Sequence, residues 1–432
     1  MTTPPSSELP KSREEWRFHY LGTPVEWIES YRPGRYHPVH FGDTFKDSRY
    51  RVIRKLGYGS FSTVWLARDR ELYRYVALKI LMAKPGAAQN ELTIHQALSQ
   101  STSNHPGKSN IMNIIESFEH TGPNGVHCCL VFDVMGPSVG HAVEELPNTL
   151  IKGSGYRRRY PVWMAKSILR QTLLGIEFLH QNGISHGDMQ QRNLLFSVKD
   201  LSSISEDELA GENEASEPVR RLDGKEDIWA PKYLALNESL VDYADVGSDF
   251  KIKISDLGAA FFVSDPPKES FTPVGLRSPE LVFENKINKD QDIWSFGCSI
   301  YELLTGKLLF AVADMGDDEE IDDDHFLQFH DILGPLPGRL IAQYPRAHLY
   351  CNEAGEIITR YIGKIPEGAD PAGLEPLPSL EECFDKKKPA ELSDEEAGVV
   401  KKLLRWILDY DPAKRPSASE LLAHPWFAED AQ

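Results

Sequence analysis

No apolar run in this 432-residue sequence approaches the roughly 20 residues needed to cross a bilayer, and the start, Met1 to Lys11, is polar with no apolar signal core. Nothing in it therefore directs the chain into a membrane or a secretory route. Cysteine is scarce: Cys128, Cys129, Cys298, Cys351 and Cys383 are odd in number and scattered, with no Cys-x-x-Cys pair and no matching histidine cluster. That pattern favours free thiols in a reducing compartment and disfavours structural zinc, which needs clustered thiolate and imidazole ligands. Positive charge is also short, with 47 Lys and Arg against 65 Asp and Glu and a formal net charge of -18. The balance argues against direct binding to a nucleic-acid backbone and for a basic partner, although solubility alone accounts for an acidic surface equally well. No internal repeat is evident.

The chain is longer than one core sustains, since single cores stop growing near roughly 250 to 300 residues, so two lobes with insertions are expected. Residues 1–49 hold Pro4, Pro5, Pro10, Pro24, Pro33 and Pro38 among aromatic and charged residues. They read as an extended arm on the first lobe, disordered at its beginning. From Tyr50 to Leu81 the β-rich runs Tyr50–Leu56, Thr63–Ala67 and Tyr75–Ile80 predict a small antiparallel sheet. Asn90 to Leu98 predicts a short helix, and Cys128 to Val134 a buried strand leading to a lobe boundary at Met135-Gly136-Pro137. Beyond it, apolar residues at Ile168, Leu169, Leu173, Ile176 and Leu179 carry a helical period, so the second lobe is mainly helical. Residues 198–249 form an acidic, serine-containing insertion, Glu206 to Glu217 being densest in acid, whose first half is expected to be disordered. A second acidic block runs from Asp314 to Asp324.

The chemistry centres on His186-Gly187-Asp188-Met189-Gln190-Gln191-Arg192-Asn193, an Asp and an Asn on a short loop before the apolar Leu194-Leu195-Phe196. Phosphoryl transfer uses that pairing: the Asp accepts or orients a hydroxyl proton while the Asn holds a metal ion on the nucleotide phosphates. Alone, the motif is shared by small-molecule phosphotransferases, protein kinases and inactive kinases. Gly57-Tyr58-Gly59-Ser60-Phe61-Ser62-Thr63-Val64 lies between two strands, where paired glycines let backbone approach phosphates. It is followed by Val76-Ala77-Leu78-Lys79, whose lysine matches the strand lysine of protein kinases that neutralises the α- and β-phosphates. Glu91, the only acid of the following helix, is placed to turn Lys79 toward the nucleotide, and His95 one turn later reads as a packing residue. The alternating strand Lys251 to Ser255 delivers Asp256 to a glycine turn, the expected magnesium ligand with Leu257 in place of the commoner Phe.

Arg277-Ser278-Pro279-Glu280, Asp292-Ile293-Trp294-Ser295-Phe296-Gly297 and Asp411-Pro412-Ala413-Lys414-Arg415-Pro416 follow in the order and spacing of the protein-kinase substrate lobe. The succession resembles eukaryotic protein kinases from Tyr50 to Phe427, and small-molecule phosphotransferases lack these later segments. More narrowly, Tyr36 to Asp43, Tyr50 to Ala67, the split between catalytic loop and Asp-Leu-Gly turn, and Asp324-His325-Phe326 through Pro337 resemble the SR-protein kinases, which phosphorylate serines in arginine/serine-rich splicing factors.

That resemblance implies an α+β, bilobal protein kinase fold with a small β-rich N-lobe at 50–135 and a larger, mainly helical C-lobe at 136–427. The C-lobe would carry an acidic spacer at 198–249 and a late insert at 314–395, followed by a tail at 428–432. It implies ATP and Mg2+ as cofactors, with Leu56, Gly57, Gly59, Ser62, Val64, Ala77, Lys79, Glu91, Asp133, Met135 and Leu195 on the nucleotide and Asn193 and Asp256 on the metal. Phe132 would back the adenine pocket, Glu280 would pair with Arg415, and Asp292 would brace the catalytic loop. Catalysis would fall to Asp188, Lys79 and Arg192. Partners would be arginine/serine-rich proteins, docked by Asp322, Asp323, Asp324 and Glu356, with no direct nucleic acid, no membrane and a monomeric chain in cytoplasm and nucleus. Two departures stand out. Gly187 replaces the usual Arg that reads an activation-loop phosphate, which implies activity without that phosphorylation. Gln190 replaces the lysine that stabilises the transferring phosphoryl group, and Arg192, at the offset used by tyrosine kinases, is the expected substitute. A pseudokinase scaffold binding basic partners through acidic surfaces is the alternative.

Overall fold

The structure, a computed structural model, describes residues 4–428 apart from 23, 85, 87, 147–157, 212–214, 216–217 and 314–315. Glu212, Glu214 and Glu217 of the acidic string and Asp314 of the second acidic block lie outside the described residues. In chain order the first elements are β1 (Thr44–Phe45), β2 (Tyr50–Gly59), β3 (Ser62–Asp69), β4 (Arg74–Leu81), α1 (Gln89–Gln100), β5 (Ile114–Gly122) and β6 (Gly125–Phe132). Next come α2 (Val139–Glu145), α3 (Val162–Gln181), β7 (Ile184–Ser185), β8 (Leu194–Phe196), α4 (Glu206–Ala210), β9 (Ile252–Ile254) and β10 (Phe261–Phe262). The rest is helical: α5 (Pro279–Glu284), α6 (Asp290–Thr305), α7 (Asp318–Leu333), α8 (Gly338–Gln343), α9 (Leu380–Asp385), α10 (Asp394–Ile407) and α11 (Ala418–Leu422). Two compact units divide the chain. Residues 1–100, 112–137 and 195–251 form the first, and 101–111, 138–194 and 252–432 the second.

The first unit is built on an antiparallel sheet in the order β1-β2-β3-β4-β6-β5. Strand alternation sorts its side chains onto two faces. Trp65, Ala67, Val76, Leu78, Ile80, Cys129 and Val131 pack together on one face, with Val39 and Phe45 of the arm and Ala235. The intervening residues Val64, Ala77, Leu81, Leu130 and Phe132 pack on the other, with Leu56, Met135, Leu195 and Leu92 of α1. Lys79 has the parity of Ala77 and therefore belongs to this second face. On α1, Glu91, Ile94, His95 and Leu98 are buried at helical spacing, which turns the one acid of the helix inward.

The spacer departs from expectation. Leu201, Leu209 and Leu240 are buried against Ile53 and Leu66 of the sheet. Ala230 and Leu234 join Phe18, Ile28, Tyr31 and Tyr36 of the arm in a second cluster. Residues 195–251 thus belong to the first unit, and the described part of the spacer's first half is ordered. Its acids reach partners far away in sequence: Asp227, held within the spacer by Arg221 at 2.8 Å, also accepts from Arg17 at 3.3 Å, and Glu206 pairs with Arg51. Lys55, with no exposure at all, ion-pairs with Glu26 of the arm and donates to the Ala235 carbonyl at 3.2 Å. Arm, sheet and spacer are therefore fastened at one buried charge, and removing one partner of such a pair costs about 3–5 kcal/mol.

In the second unit α6 is buried almost all round, as its run Ile293-Trp294-Ser295-Phe296-Gly297-Cys298 requires. It ends at Gly306 in the left-handed region (φ 70). The expected Glu280–Arg415 pair is present and bidentate, 2.7 Å on each arm, with the guanidinium 4.8 Å from the Trp294 ring. It ties α5 to the loop before α11.

Candidate active site

In the first unit, Lys79 on β4 is buried, and its Nζ donates to Glu91 Oε1 and Oε2 at 2.8 and 2.9 Å. Strand parity brings the lysine onto the face of Val64 and Ala77, and the helical stripe of α1 brings the carboxylate. His95 packs its ring 5.8 Å from Phe132, and burial pushes its imidazole down to about 4, so it is a neutral packing residue. Gly57 and Gly59 lie in the β2–β3 hairpin, in register with Val64 and Ser62. Neither has a positive φ, and a Cβ on either would meet nothing within 4 Å. The chain's own packing thus does not demand glycine there, which fits a backbone kept bare for a ligand's phosphates. One contact has no signal in the sequence: Tyr36 of the arm donates its hydroxyl to the Gly59 carbonyl at 2.5 Å. Leu56, Val64, Ala77, Met135 and Leu195 share one apolar cluster with Phe132. Ser62 is buried, and Asp133 is exposed at the end of β6.

In the second unit, β7 pairs with β10 and delivers the loop that starts at His186. The buried Asp292 of α6 organises it. Its Oδ2 accepts from Ser185 Oγ at 2.8 Å, the His186 amide at 2.8 Å and His180 Nε2 at 2.9 Å, while Oδ1 accepts from the Gly187 amide at 3.0 Å. Burial alone would raise this carboxyl, yet His180, His186 and the Gly187 amide hold it below the usual range. His186 in turn bonds the Ser255 carbonyl through Nε2 at 3.0 Å and accepts the Asp188 amide at Nδ1, 3.2 Å, which fixes Nε2 as the protonated nitrogen.

Asp188 receives two neutral amides: Gln190 Nε2 on Oδ1 at 2.6 Å and Asn193 Nδ2 on Oδ2 at 2.9 Å. Burial raises the Asp188 carboxyl and the charge of Asp256 adds to this, against the opposing pull of His186, Asn193 and Gln190. It is a proton acceptor more basic than an ordinary aspartate. Asn193 spends its Nδ2 on the Asp188 carboxylate and carbonyl, 2.8 Å for the latter, so its Oδ1 has no hydrogen-bond donor among the described residues. Asp256 sits in the left-handed region (φ 58, ψ 70), a strained backbone for a non-glycine residue. A side-chain carbonyl and a carboxylate are the hard oxygen donors that Mg2+ takes, so the residues fit that ion.

Gly187 also acquires a physical reason. Its φ is +76, and a Cβ there would lie 2.6 Å from the Ala259 carbonyl oxygen, so the usual arginine does not fit this backbone. Arg192 is exposed, with its stem beside Gly140 of α2 and no hydrogen bond to Asp188 among the described residues. Gln190, whose contact with the carboxylate the sequence did not reveal, occupies the place next to Asp188.

The four expected docking acids separate. Asp323 is fully buried and accepts from Arg346 Nη2 at 2.6 Å, Tyr344 at 2.5 Å and Tyr350 at 2.6 Å. It anchors α7 to the segment after α8, and its assignment to docking is corrected: a carboxylate so satisfied has nothing left for a substrate arginine. Asp322 is half-buried, and burial pushes it up to about 6. Asp324 is also half-buried, holding Gln328 at 2.9 Å, and Glu356 is exposed and bonded to Asn352.

Comparison with known proteins agrees with this geometry. The protein kinase domain family matches residues 50–427. Serine/threonine-protein kinase SRPK of Physarum polycephalum is 31% identical, covering 94% of this chain and 91% of its own length. Protein kinase dsk1 of Schizosaccharomyces pombe is 28% identical over 95% of this chain and 86% of its own. SRSF protein kinase 3 of Homo sapiens is 25% identical over 92% and 89%. A crystal structure of a kinase domain with 22% identity, TM-score 0.60 and 90% coverage of this chain shares the fold.

Proposed function

The chain belongs to the SR-protein kinase family and is a protein serine/threonine kinase, and from that premise we propose that it transfers the γ-phosphate of ATP to serines in arginine/serine-rich proteins such as splicing factors. The observation that carries catalytic competence is the Asp188 carboxylate, fixed by Gln190 and Asn193 on a loop braced by Asp292. Asp188 accepts the proton of the substrate serine as its oxygen attacks. Lys79, oriented by Glu91, neutralises the α- and β-phosphates, and Gly57 and Gly59 admit them to the β2–β3 hairpin. Asn193 and Asp256 hold Mg2+, which when bound supplies charge neutralisation on the nucleotide phosphates. Arg192 carries the charge on the transferring phosphoryl group that Gln190 cannot; Arg192→Ala lowers kcat far more than nucleotide affinity, and unchanged turnover contradicts the assignment.

For the protein substrate, Asp322, Asp324 and Glu356 are assigned to substrate arginines, supported by a net charge of -18 that attracts a cationic peptide. This reading has the chain act as a monomer in cytoplasm and nucleus, without contacting nucleic acid. The test is phosphate transfer from radiolabelled ATP to an Arg-Ser repeat peptide, a Lys-Ser control and an arginine-free serine peptide, with Asp188→Ala as blank. Preference for the Arg-Ser peptide is expected. Equal labelling of all three rejects arginine-directed specificity, and labelling no greater than the blank on all three favours a pseudokinase scaffold.

A further inference from the structure

The tip of the nucleotide hairpin is held from outside the kinase domain. Tyr36 precedes the matched residues 50–427, yet its hydroxyl donates to the Gly59 carbonyl at 2.5 Å. Both its ring and its backbone are fixed. The ring is buried 5.6 Å from that of Tyr31, in the cluster with Phe18, Ile28, Met82 and Leu234. The buried Asn124, in the turn between β5 and β6, donates from Nδ2 to the Tyr36 carbonyl at 2.6 Å and to the Trp229 carbonyl at 2.7 Å. Burial first, and then the charges of Glu26 and Tyr58, push the phenol up to about 12, so the hydroxyl remains a donor at neutral pH.

What Tyr36 holds is the least constrained backbone of the hairpin. Tyr58, Gly59, Ser60 and Phe61 are exposed, and the ladder between β2 and β3 ends at the pair Gly59 and Ser62. Glycine loses more conformational freedom on ordering than any other residue, so an untethered tip would sample many arrangements. A trans peptide group is planar, with its C=O and N–H pointing in opposite directions. The Gly59 carbonyl shares its plane with the Ser60 amide, so a carbonyl drawn toward the arm turns that amide away from the arm. The arm packs through Val39 and Phe45 on the face of Trp65 and Ile80, whereas Val64 and Ala77, with Lys79 by parity, lie on the other. The Ser60 amide has no acceptor among the described residues. A bare backbone N–H at a glycine turn is a donor suited to an anion's oxygen.

We propose that Tyr36 is a positioning residue for the nucleotide: its hydroxyl sets the Gly59–Ser60 peptide so that the Ser60 amide is presented to a phosphate oxygen of ATP. The inference rests on the reading of the β2–β3 hairpin as the loop that admits the ATP phosphates. Tyr36 acts through the backbone, and its hydrogen bond orders the loop before ATP arrives, which removes part of the ordering cost from binding. The arm thereby serves the reaction and not only the stability of the first unit.

The experiment uses the full chain. Tyr36→Phe keeps the ring in its cluster and removes only the hydroxyl. Tyr50→Phe is the control, removing a hydroxyl that donates to Glu116 at 2.7 Å at the other end of β2. Dissociation constants for ATP with Mg2+ and for adenosine, which lacks phosphates, are measured by calorimetry. KM for ATP and kcat are measured on an Arg-Ser repeat peptide. In Tyr36→Phe the Kd and KM for ATP are expected to rise about fivefold, the effect of one hydrogen bond. Adenosine affinity and kcat at saturating ATP should stay at the wild-type values, since an interaction made equally in ground and transition states moves KM alone. Tyr50→Phe should lower Tm and leave both nucleotide affinities unchanged. An unaltered ATP affinity in Tyr36→Phe overturns the proposal. So does a parallel loss of ATP and adenosine affinity, or an equal loss in Tyr50→Phe, because either marks a general loosening of the sheet. Failure of the parent reading looks different: wild type itself would bind no ATP and show no Asp188-dependent transfer. With ATP binding but no transfer, the two dissociation constants still decide.

Discussion

The nucleotide half of the machinery and the phosphoryl-transfer half follow different rules. In the first unit the expected ion pair is present: Lys79 meets Glu91 at 2.8 and 2.9 Å, and the glycines of the β2–β3 hairpin face open space. In the second unit the loop keeps Asp188 and Asn193 but carries Gly187 and Gln190 where protein kinases usually carry cations. One replacement is imposed by backbone, since Gly187 at φ +76 beside the Ala259 carbonyl excludes a side chain. The other turns a neutral amide onto the carboxylate at 2.6 Å where a lysine would present charge to phosphate. The departures from the usual kinase pattern thus fall on the catalytic loop and not on the Lys79–Glu91 pair.

The largest effect that could break this contrast lies in the nucleotide half. Glu91→Ala strands the buried Lys79 charge and should cost about 3–5 kcal/mol of stability together with a large rise in KM for ATP; a thermal melt and ATP titration that both match wild type would show the pair is dispensable. Gly187→Arg should come next. The left-handed backbone costs about 1–2 kcal/mol for a non-glycine residue before the clash with Ala259 is counted, so Tm and kcat should both fall, and an unaltered enzyme would mean the loop relaxes freely. Gln190→Leu is smaller but more diagnostic. Asp188 is already raised by burial, and Gln190 is one of the groups pulling it down. Removing that donor should move the acid limb of kcat/KM to higher pH, because activity is lost as pH falls through the Asp188 pKa; an unmoved limb would separate Gln190 from the base. The smallest kinetic effect divides the acids of α7. Asp324→Asn should raise KM for an Arg-Ser peptide a few-fold at constant Tm, whereas Asp323→Asn should lower Tm by disturbing Arg346, Tyr344 and Tyr350.

The distinction between Asp323 and Asp324 also marks what sequence could and could not convey. Asp188, Asn193, Lys79 and Asp256 were legible because their chemistry is local: a strand or loop of a few residues fixes each. Glu91 was legible because the helical stripe that buries it is visible in sequence. Asp323 was misassigned because its partners arrive from a segment beyond α8 that no pattern in α7 announces. The spacer was misread for the same reason. Its acid content implied disorder, yet Arg17 and Arg51, which neutralise Asp227 and Glu206, lie far upstream, and its leucines pack on strands formed long before it. Composition reports charge, but only the fold reports whether a charge has been answered. The Tyr36 bond to Gly59 and the Gln190 bond to Asp188 were equally invisible, since both join residues whose types alone assign them no partner.

The most direct test of the central claim, that Asp188 held by two neutral amides sustains phosphoryl transfer, is single-turnover labelling of an Arg-Ser repeat peptide by wild type and Asp188→Ala at saturating ATP and Mg2+. Wild type should transfer phosphate at a rate about 100-fold or more above the variant, the range a positioned general base supplies. Equal rates from two equally folded proteins would contradict it.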